Sequence, residues 1–299
     1  MLNKYIINKE TVKRYGLICA VLALSCFFTA EAAVPVCASD SETISWNPEW
    51  EYASFSAIHT DSVTLYHTQA ETTKGFTVCV NAGHGTAGGD TQYTYCHPDG
   101  TPKVTGGSTA QGSVTAPAVS GGMTFADQTP EAQVVLSLAL KLKRCLLDNG
   151  YDVLMIRTAD DVQLDNIART VFANNCADCH IALHYDSTDS DKGLYYCSVP
   201  DVQSYRAMQP VADHYQEHFA LGEALVEGAR QSGLKIFGEN IPTDLTQTSY
   251  STIPSVDLEV GDAGSNHSDT ALEAAAEGIL NGVNLYYDGM KAAEVRTEN

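Results

Sequence analysis

The fold of this chain is decided by the stretch Val78-Cys79-Val80-Asn81-Ala82-Gly83-His84-Gly85. Its first half is apolar and rich in valine, as in a buried strand, and its second half breaks into glycines. The glycines predict a turn at the end of the strand, so the imidazole of His84 should leave the sheet there. A histidine in this position indicates a functional site at the end of the sheet.

Beyond this stretch, strand and helix patterns alternate along the chain. A helix is expected over 131–148, with Thr129 as N-cap and Pro130 at the first helical position. The remaining expected elements are an edge strand at 62–66, strands at 151–156, 179–184, 193–197 and 255–260, and helices around 164–171 and over 204–232 and 270–287. This order predicts a single α/β domain whose mostly parallel or mixed central sheet is flanked by helices.

Three further side chains lie where predicted elements begin or end. Glu131 opens the helix 131–148, His184 ends the strand 179–184, and Glu259 ends the strand 255–260. Together with His84 they provide two imidazoles and two carboxylates. Two imidazoles and one carboxylate suit a catalytic Zn²⁺ with an open fourth position, and a second carboxylate can act as a base.

The order and surroundings of these residues resemble the zinc-dependent N-acetylmuramoyl-L-alanine amidases, which cut bacterial peptidoglycan. The resemblance covers roughly residues 75 to 288. Its matching segments are Gly83-His84-Gly85, the helix-opening Glu131, Gly150-Tyr151-Asp152-Val153 to Arg157, Arg169 to Asn174, Ala182-Leu183-His184-Tyr185-Asp186, and Pro254 through Glu259-Val260-Gly261-Asp262 to Asn266. The resemblance implies a zinc site at the strand ends and cleavage of the amide between N-acetylmuramic acid and L-alanine.

We therefore predict Zn²⁺ held by His84, Glu131 and His184, with Glu259 as the catalytic base. Asp257, two residues earlier on the same strand face, is the alternative base. The chain departs from the family at three places, which leave these four residues intact. The usual Asp-Pro before Gly-His is Asn81-Ala82, the usual Asn after the third ligand is Asp186, and the usual Phe of Gly-Phe is Asp262.

The chain begins like an exported protein. Lys4, Lys9, Lys13 and Arg14 precede an apolar run from Leu17 to Ala30, which small residues follow. The run is shorter than the roughly 20 residues that span a bilayer, so a cleaved signal peptide over 1–38 is expected, with an uncleaved anchor as the alternative. The remaining domains are expected to be an acidic, partly ordered lead-in at 39–74, a zinc amidase catalytic domain at 75–290 and a polar tail at 291–299.

Charge restricts the partners of the mature protein. Of 17 basic and 37 acidic residues, 13 and 35 remain after residue 38, a net charge of −22. Such a surface repels nucleic acid and anionic lipids. We expect a secreted or cell-envelope protein that acts on peptidoglycan or muropeptides and contacts neither nucleic acid nor, after cleavage, membrane. Six cysteines would remain, and Cys79 and Cys145 are expected to be free thiols on apolar faces.

Two short motifs compete with the main site. Cys176-Ala177-Asp178-Cys179-His180 fits the pattern of c-type haem attachment, and His214-Tyr215-Gln216-Glu217-His218 fits that of the inverted zinc peptidases. Both patterns occur by chance. The functions left open are therefore a zinc peptidase that acts on stem peptides, on the main site or on His214 and His218, and a non-catalytic wall-binding protein on an amidase scaffold.

Overall fold

Within the residues that the structure describes, eight strands form one mixed sheet and six α-helices accompany it. The computed structural model describes residues 40–238 and 240–297. The strands are β1 Ser41–Ile44, β2 Val63–Tyr66, β3 Thr77–Ala82, β4 Tyr93–Tyr95, β5 Thr115–Pro117, β6 Asp152–Met155, β7 Cys179–Asp186, β8 Tyr195–Ser198, β9 Ile241–Pro242 and β10 Ser255–Asp262. The helices are α1 Glu131–Asp148, α2 Asn166–Cys176, α3 Gln203–Arg206, α4 Val211–Gln231, α5 Thr246–Tyr250 and α6 Asp269–Thr297.

The centre of the large sheet is parallel and its margins are mixed. The strand order is β1-β2-β6-β3-β7-β10-β8-β9, and β4 pairs only with β5 in a separate hairpin. Strands β6, β3, β7 and β10 run parallel to one another, whereas β2 and β8 are antiparallel to their inner neighbours. The predicted single α/β domain with a mixed central sheet is confirmed.

Side-chain alternation divides the sheet into two faces. Val80 and Ile181 belong to the large core that helices α1, α4 and α6 cover, whereas Cys79 and Leu154 pack on the other face with Phe172 of α2. Successive residues of a strand point to opposite faces, so the odd and even positions of β7 and β10 face different layers. His184, Asp257 and Glu259 therefore lie on the face opposite the large core.

The segment before β3 is part of the sheet. Strand β2 was expected at an edge, but β1 pairs with its outer side, and the edge is therefore β1. Trp46 and Trp50 pack edge-to-face on Phe172 at 5.5 and 5.4 Å between ring centroids. These aromatic contacts hold the segment against helix α2. The segment belongs to the expected lead-in at 39–74. The expected signal peptide lies outside the described residues.

Helix boundaries differ from the sequence prediction at two proline residues. The helix expected over 204–232 is divided into α3 and α4, because Pro210 lacks a backbone donor and disfavours helical geometry in the residue before it. Pro130 is itself the N-cap of α1 and Glu131 is the first helical residue, so the predicted N-cap at Thr129 and the predicted place of Pro130 at the first helical position are both wrong. The last helix continues to Thr297.

Cys79 and Cys145 are both free thiols. Cys79 is buried in β3, as expected, whereas Cys145 on α1 was expected to be buried but is only half-buried. Among the described residues, no helix is both long and apolar enough to cross a membrane.

Candidate functional site

Three of the predicted side chains converge at one end of the sheet. The Nε2 of His84 lies 2.9 Å from Oε1 of Glu131, and the Nδ1 of His184 lies 3.1 Å from the same oxygen. The two imidazole nitrogens are 3.0 Å apart. Two histidine nitrogens and one carboxylate oxygen thus form a triangle with sides of about 3 Å.

The topology of the sheet explains this convergence. Strands β3 and β7 are parallel neighbours in which Ala82 pairs with Leu183, so the turn after β3 and the last residues of β7, which include His184, lie at the same end of the sheet. His84 has a φ of 60°, in the left-handed region, and this places its ring on the turn after β3. Glu131 is the first residue of α1, which packs against β3 and β7 and therefore begins at this edge.

The carboxylate of Glu131 is held from two sides. Its Oε1 accepts a hydrogen bond from the N–H of Tyr185 at 3.0 Å, and its Oε2 accepts one from the N–H of Met123 at 2.9 Å. Burial disfavours the charged form, but hydrogen bonds with His184 and His84 outweigh it and lower the pKa of Glu131. The carboxylate is ionised and fixed in direction, as a metal ligand must be.

The electrostatic environment favours positive charge at this point. Burial alone would lower the pKa of His184, but the charge of Asp257 and the hydrogen bond to Glu131 raise it to about 10. His84 is fixed through its other nitrogen, because its Nδ1 lies 2.8 Å from the backbone oxygen of Ser120. This carbonyl is the kind of partner that orients a metal-bound histidine.

The donor set fits a zinc ion. In a tetrahedral site with bonds of about 2.0–2.1 Å, the ligand atoms are about 3.3 Å apart. The observed separations of 2.9–3.1 Å among His84, Glu131 and His184 are close to this value. Mixed imidazole and carboxylate ligands are also the chemistry of catalytic zinc sites with an open position. These three residues could therefore hold Zn²⁺.

Glu259 and Asp257 lie beside this triangle. Glu259 pairs with His184 across the parallel strands β10 and β7. The Oδ2 of Asp257 lies 3.8 Å from Nε2 of His184. Burial, followed by the charge of Asp257, raises the pKa of Glu259 well above its usual range, and burial also raises the pKa of Asp257. Both candidates for the base are thus next to the third predicted ligand.

Two glycines allow the histidines to approach each other. A Cβ at Gly83 would stand 2.2 Å from Cε1 of His184, and a Cβ at Gly122 would stand 2.8 Å from Cδ2 of His84. Gly122 also has a positive φ of 81°, which favours glycine. Gly122, Ser120 and Met123 come from the long segment between His84 and Glu131. No local sequence pattern identifies these contacts, because they depend on the path of a loop.

The two competing motifs lie elsewhere. Cys179 and His180 are completely buried within the sheet, and His180 contacts Nδ2 of Asn81 through its Nε2. The ring of His218 is buried and accepts a hydrogen bond from the N–H of Ser255, whereas His214 contacts Glu217. Among the described residues, neither motif contributes to a cluster of potential metal ligands.

The three departures from the family pattern have local partners. Asn81 bridges two buried groups, since its Oδ1 accepts from Arg169 and its Nδ2 contacts His180. Asp186 accepts hydrogen bonds from Lys192 and from the hydroxyl of Tyr195. Asp262 accepts hydrogen bonds from Thr188 and Ser190 and from the N–H of Lys192. The two substituted aspartates therefore organise the loop between β7 and β8.

Comparison with known proteins supplies a family and a fold. A family model described as N-acetylmuramoyl-L-alanine amidase matches residues 78–285. The structure is similar to that of the N-acetylmuramyl-L-alanine amidase Ami1 from Mycobacterium smegmatis, with 17% identity, a TM-score of 0.54 and coverage of 72% of this chain and 98% of that chain. It is also similar to Ami1 from Mycobacterium abscessus, with 16% identity, a TM-score of 0.54 and coverage of 71% and 98%. For the amidase AmiC2 of Nostoc punctiforme, the identity is 16%, the TM-score 0.51 and the coverage 72% and 98%. No curated protein sequence matches the chain.

Proposed function

Because the chain belongs to the N-acetylmuramoyl-L-alanine amidase family, we propose that it is an exported, zinc-dependent hydrolase of peptidoglycan. It cleaves the amide between the lactyl group of N-acetylmuramic acid and the first L-alanine of the stem peptide. The observation that carries the proposal is the triangle of His84, Glu131 and His184, whose ligand atoms lie 2.9–3.1 Å apart. Export is supported by the charged and apolar pattern of residues 1–38.

His84, Glu131 and His184 are the proposed zinc ligands. When bound, Zn²⁺ supplies Lewis-acid chemistry, which polarises a carbonyl and makes water acidic enough to react near neutral pH. The protein holds two of the three ligands in place, His84 through the carbonyl of Ser120 and Glu131 through two backbone N–H groups. This preorganisation keeps the ligand geometry from depending on flexible side chains.

Glu259 is the proposed general base. It takes a proton from the attacking water and passes it to the nitrogen of the leaving L-alanine, so that the amide breaks into a carboxylate and a free amine. Its Oε2 is enclosed and has no hydrogen-bond partner among the described residues, which leaves this oxygen free for a proton. Asp257 lies behind it on the same strand face and adds negative charge.

The test is to digest purified peptidoglycan with the zinc-loaded protein and to identify the new chain ends. An amidase releases intact stem peptides with a free L-alanine amino group. New ends within the stem peptide would instead support a zinc peptidase. An absence of new ends, with zinc bound at one equivalent, would support a wall-binding protein on an amidase scaffold.

A further inference from the structure

A second group of potential metal ligands lies beside the first. Cys197, Asp257 and Glu259 each offer one ligand atom, and these atoms lie within 4.8 Å of one another. The antiparallel pairing of β8 with β10 creates the group, because it sets Cys197 directly opposite Asp257. Asp257 and Glu259 are two residues apart on β10, so all three side chains share one face of the sheet.

One oxygen of each carboxylate in this group has no hydrogen-bond partner among the described residues. Oδ1 of Asp257 and Oε2 of Glu259 are fully enclosed and make no hydrogen bond with any described residue. Buried polar oxygens are almost always hydrogen-bonded, and buried charges are paired or bind metals. Two such oxygens next to each other therefore favour the binding of a cation or a proton between them.

The neighbouring cationic groups do not meet this need. The ammonium of Lys192 contacts Asp186, which also accepts a hydrogen bond from the hydroxyl of Tyr195. His184 approaches Asp257 only to 3.8 Å, and its Nδ1 faces the first site. Within the part of the chain that the structure describes, the nearest cationic group is thus His184, and it makes no hydrogen bond to either carboxylate.

We propose that Cys197, Asp257 and Glu259 form a second divalent-cation site, distinct from the triangle of His84, Glu131 and His184. One thiolate and two carboxylates suit zinc or a softer ion such as Cd²⁺, since thiolate ligands select such metals over Mg²⁺ or Ca²⁺. Binding forms a bond from the metal to Sγ of Cys197 and releases the thiol proton to solvent. The carboxylates then gain the positive charge that they lack.

The second site should be the weaker of the two. Its thiol must lose a proton before it can bind, and its two enclosed carboxylate oxygens accept no hydrogen bond that would orient them. In the first site, in contrast, the N–H groups of Tyr185 and Met123 hold the carboxylate of Glu131 in place. We therefore expect purified protein to retain one metal and to take up a second only when metal is in excess.

Occupation of the second site has a consequence for catalysis, which rests on the proposed function. A metal on Glu259 occupies the oxygen that would receive the proton of the attacking water. Excess metal should then inhibit hydrolysis, although one equivalent supports it. Binding and inhibition are separate measurements, so the site can be present even if the proposed role of Glu259 is wrong.

The test is a titration of the full metal-free protein with Cd²⁺, followed by ultraviolet absorption and by dialysis with metal analysis. Wild-type protein should bind two equivalents, with a sulfur-to-cadmium absorption band that grows with one of them. Cys197→Ala should bind one equivalent without the band. Cys145→Ala, which removes a half-buried thiol on α1, is the matched control and should behave like wild type.

A complementary variant separates the two sites. His84→Ala should no longer bind metal at the triangle of His84, Glu131 and His184. It should keep the sulfur-to-cadmium absorption band of the second site. A single equivalent in wild type, a band that persists in Cys197→Ala, or the loss of both equivalents in His84→Ala would each overturn the second site. Hydrolysis at increasing zinc, expressed relative to each protein's own rate at one equivalent, should fall in wild type and remain steady in Cys197→Ala. Parallel inhibition of both proteins would overturn the inhibitory role.

Discussion

Gly83 stands directly against the ring of His184, and a Cβ at position 83 would lie 2.2 Å from its Cε1. The glycine after strand β3 therefore determines how closely the imidazole of strand β7 can approach His84. The backbone of one strand and a side chain of its parallel neighbour together set the spacing of the proposed ligands.

Gly83→Ala should displace the ring of His184 and weaken zinc binding. An approach of 2.2 Å is far below the contact distance of carbon atoms, so the ring or the strand must move. Zinc affinity measured by competition with a chelator should fall by at least an order of magnitude, because one ligand is misplaced. Gly100→Ala is the control, since its Cβ would meet nothing within 4 Å, although its positive φ of 74° adds local strain. Equal affinity of Gly83→Ala and wild type would contradict this account.

His84→Ala and His184→Ala should both lose the single retained zinc and the hydrolytic activity. Each leaves two protein ligands, and two ligands hold zinc poorly. His214→Ala should keep both zinc and activity, because this histidine contacts Glu217 away from the site. Zinc per chain after dialysis is the measurement. Loss of zinc in His214→Ala would favour the inverted peptidase motif.

Glu259→Gln should lower turnover, whereas Glu131→Gln should weaken zinc binding. Glu259→Gln should retain one equivalent of zinc while turnover falls by about 10²- to 10⁴-fold, the usual contribution of a positioned proton-transfer group. Glu131→Gln should weaken zinc itself, because a neutral amide replaces the anionic ligand and turns its NH₂ group toward a backbone N–H. Zinc content and hydrolysis should be measured side by side. If Glu259→Gln loses the retained zinc or keeps near-normal turnover, the roles are assigned wrongly.

Asp244→Asn should destabilise the fold. Asp244 is completely buried. Its Oδ1 lies 2.9 Å from Nζ of Lys103, and its Oδ2 lies 3.1 Å from Nε2 of His97. Loss of one partner leaves a buried charge unpaired and costs about 3–5 kcal/mol. Urea unfolding should detect this change, and adding Lys103→Met should recover part of it. Glu227→Gln, in an exposed pair with Arg230, is the control and should change the stability little.

Two buried histidines should make the fold less stable in mild acid. Burial is the main cause that lowers the pKa of His180 and of His218 to about 3. The unfolded chain takes up these protons near pH 6.5, so this stability is full above that pH and is lost as the pH falls toward 3. Each histidine should contribute a slope of about 1.4 kcal/mol per pH unit.

The slope can be measured by urea unfolding between pH 4 and pH 6 in the presence of a chelator. His180→Gln and His218→Asn remove the titration but keep an acceptor for the partners that the rings now contact, Asn81 and Ser255. Each variant should reduce the slope by up to the amount that one group contributes. An unchanged slope in both variants would show that these histidines do not govern the acid stability.

The sequence by itself determined which local elements carry the proposed site residues, although His184 and Glu259 lie within their strands and not at the predicted ends. The range 131–148 of helix α1 agrees with the structure residue for residue, because its apolar periodicity and the Asn149-Gly150 stop are local signals. Strands β7 and β10 were found from short apolar runs, although both continue two residues further than expected. These local signals do not specify that β3 and β7 are neighbours in the sheet, which is what brings His84 and His184 together.

Tertiary structure decided the features that depend on contacts between distant segments. The position of Cys197 opposite Asp257 follows from the antiparallel insertion of β8 beside β10, and no local pattern specifies this pairing. The contacts of Ser120 and Gly122 with His84 likewise depend on the path of a loop. Local periodicity reports which face of an element is buried, whereas strand order and loop path are set by how those faces are buried together.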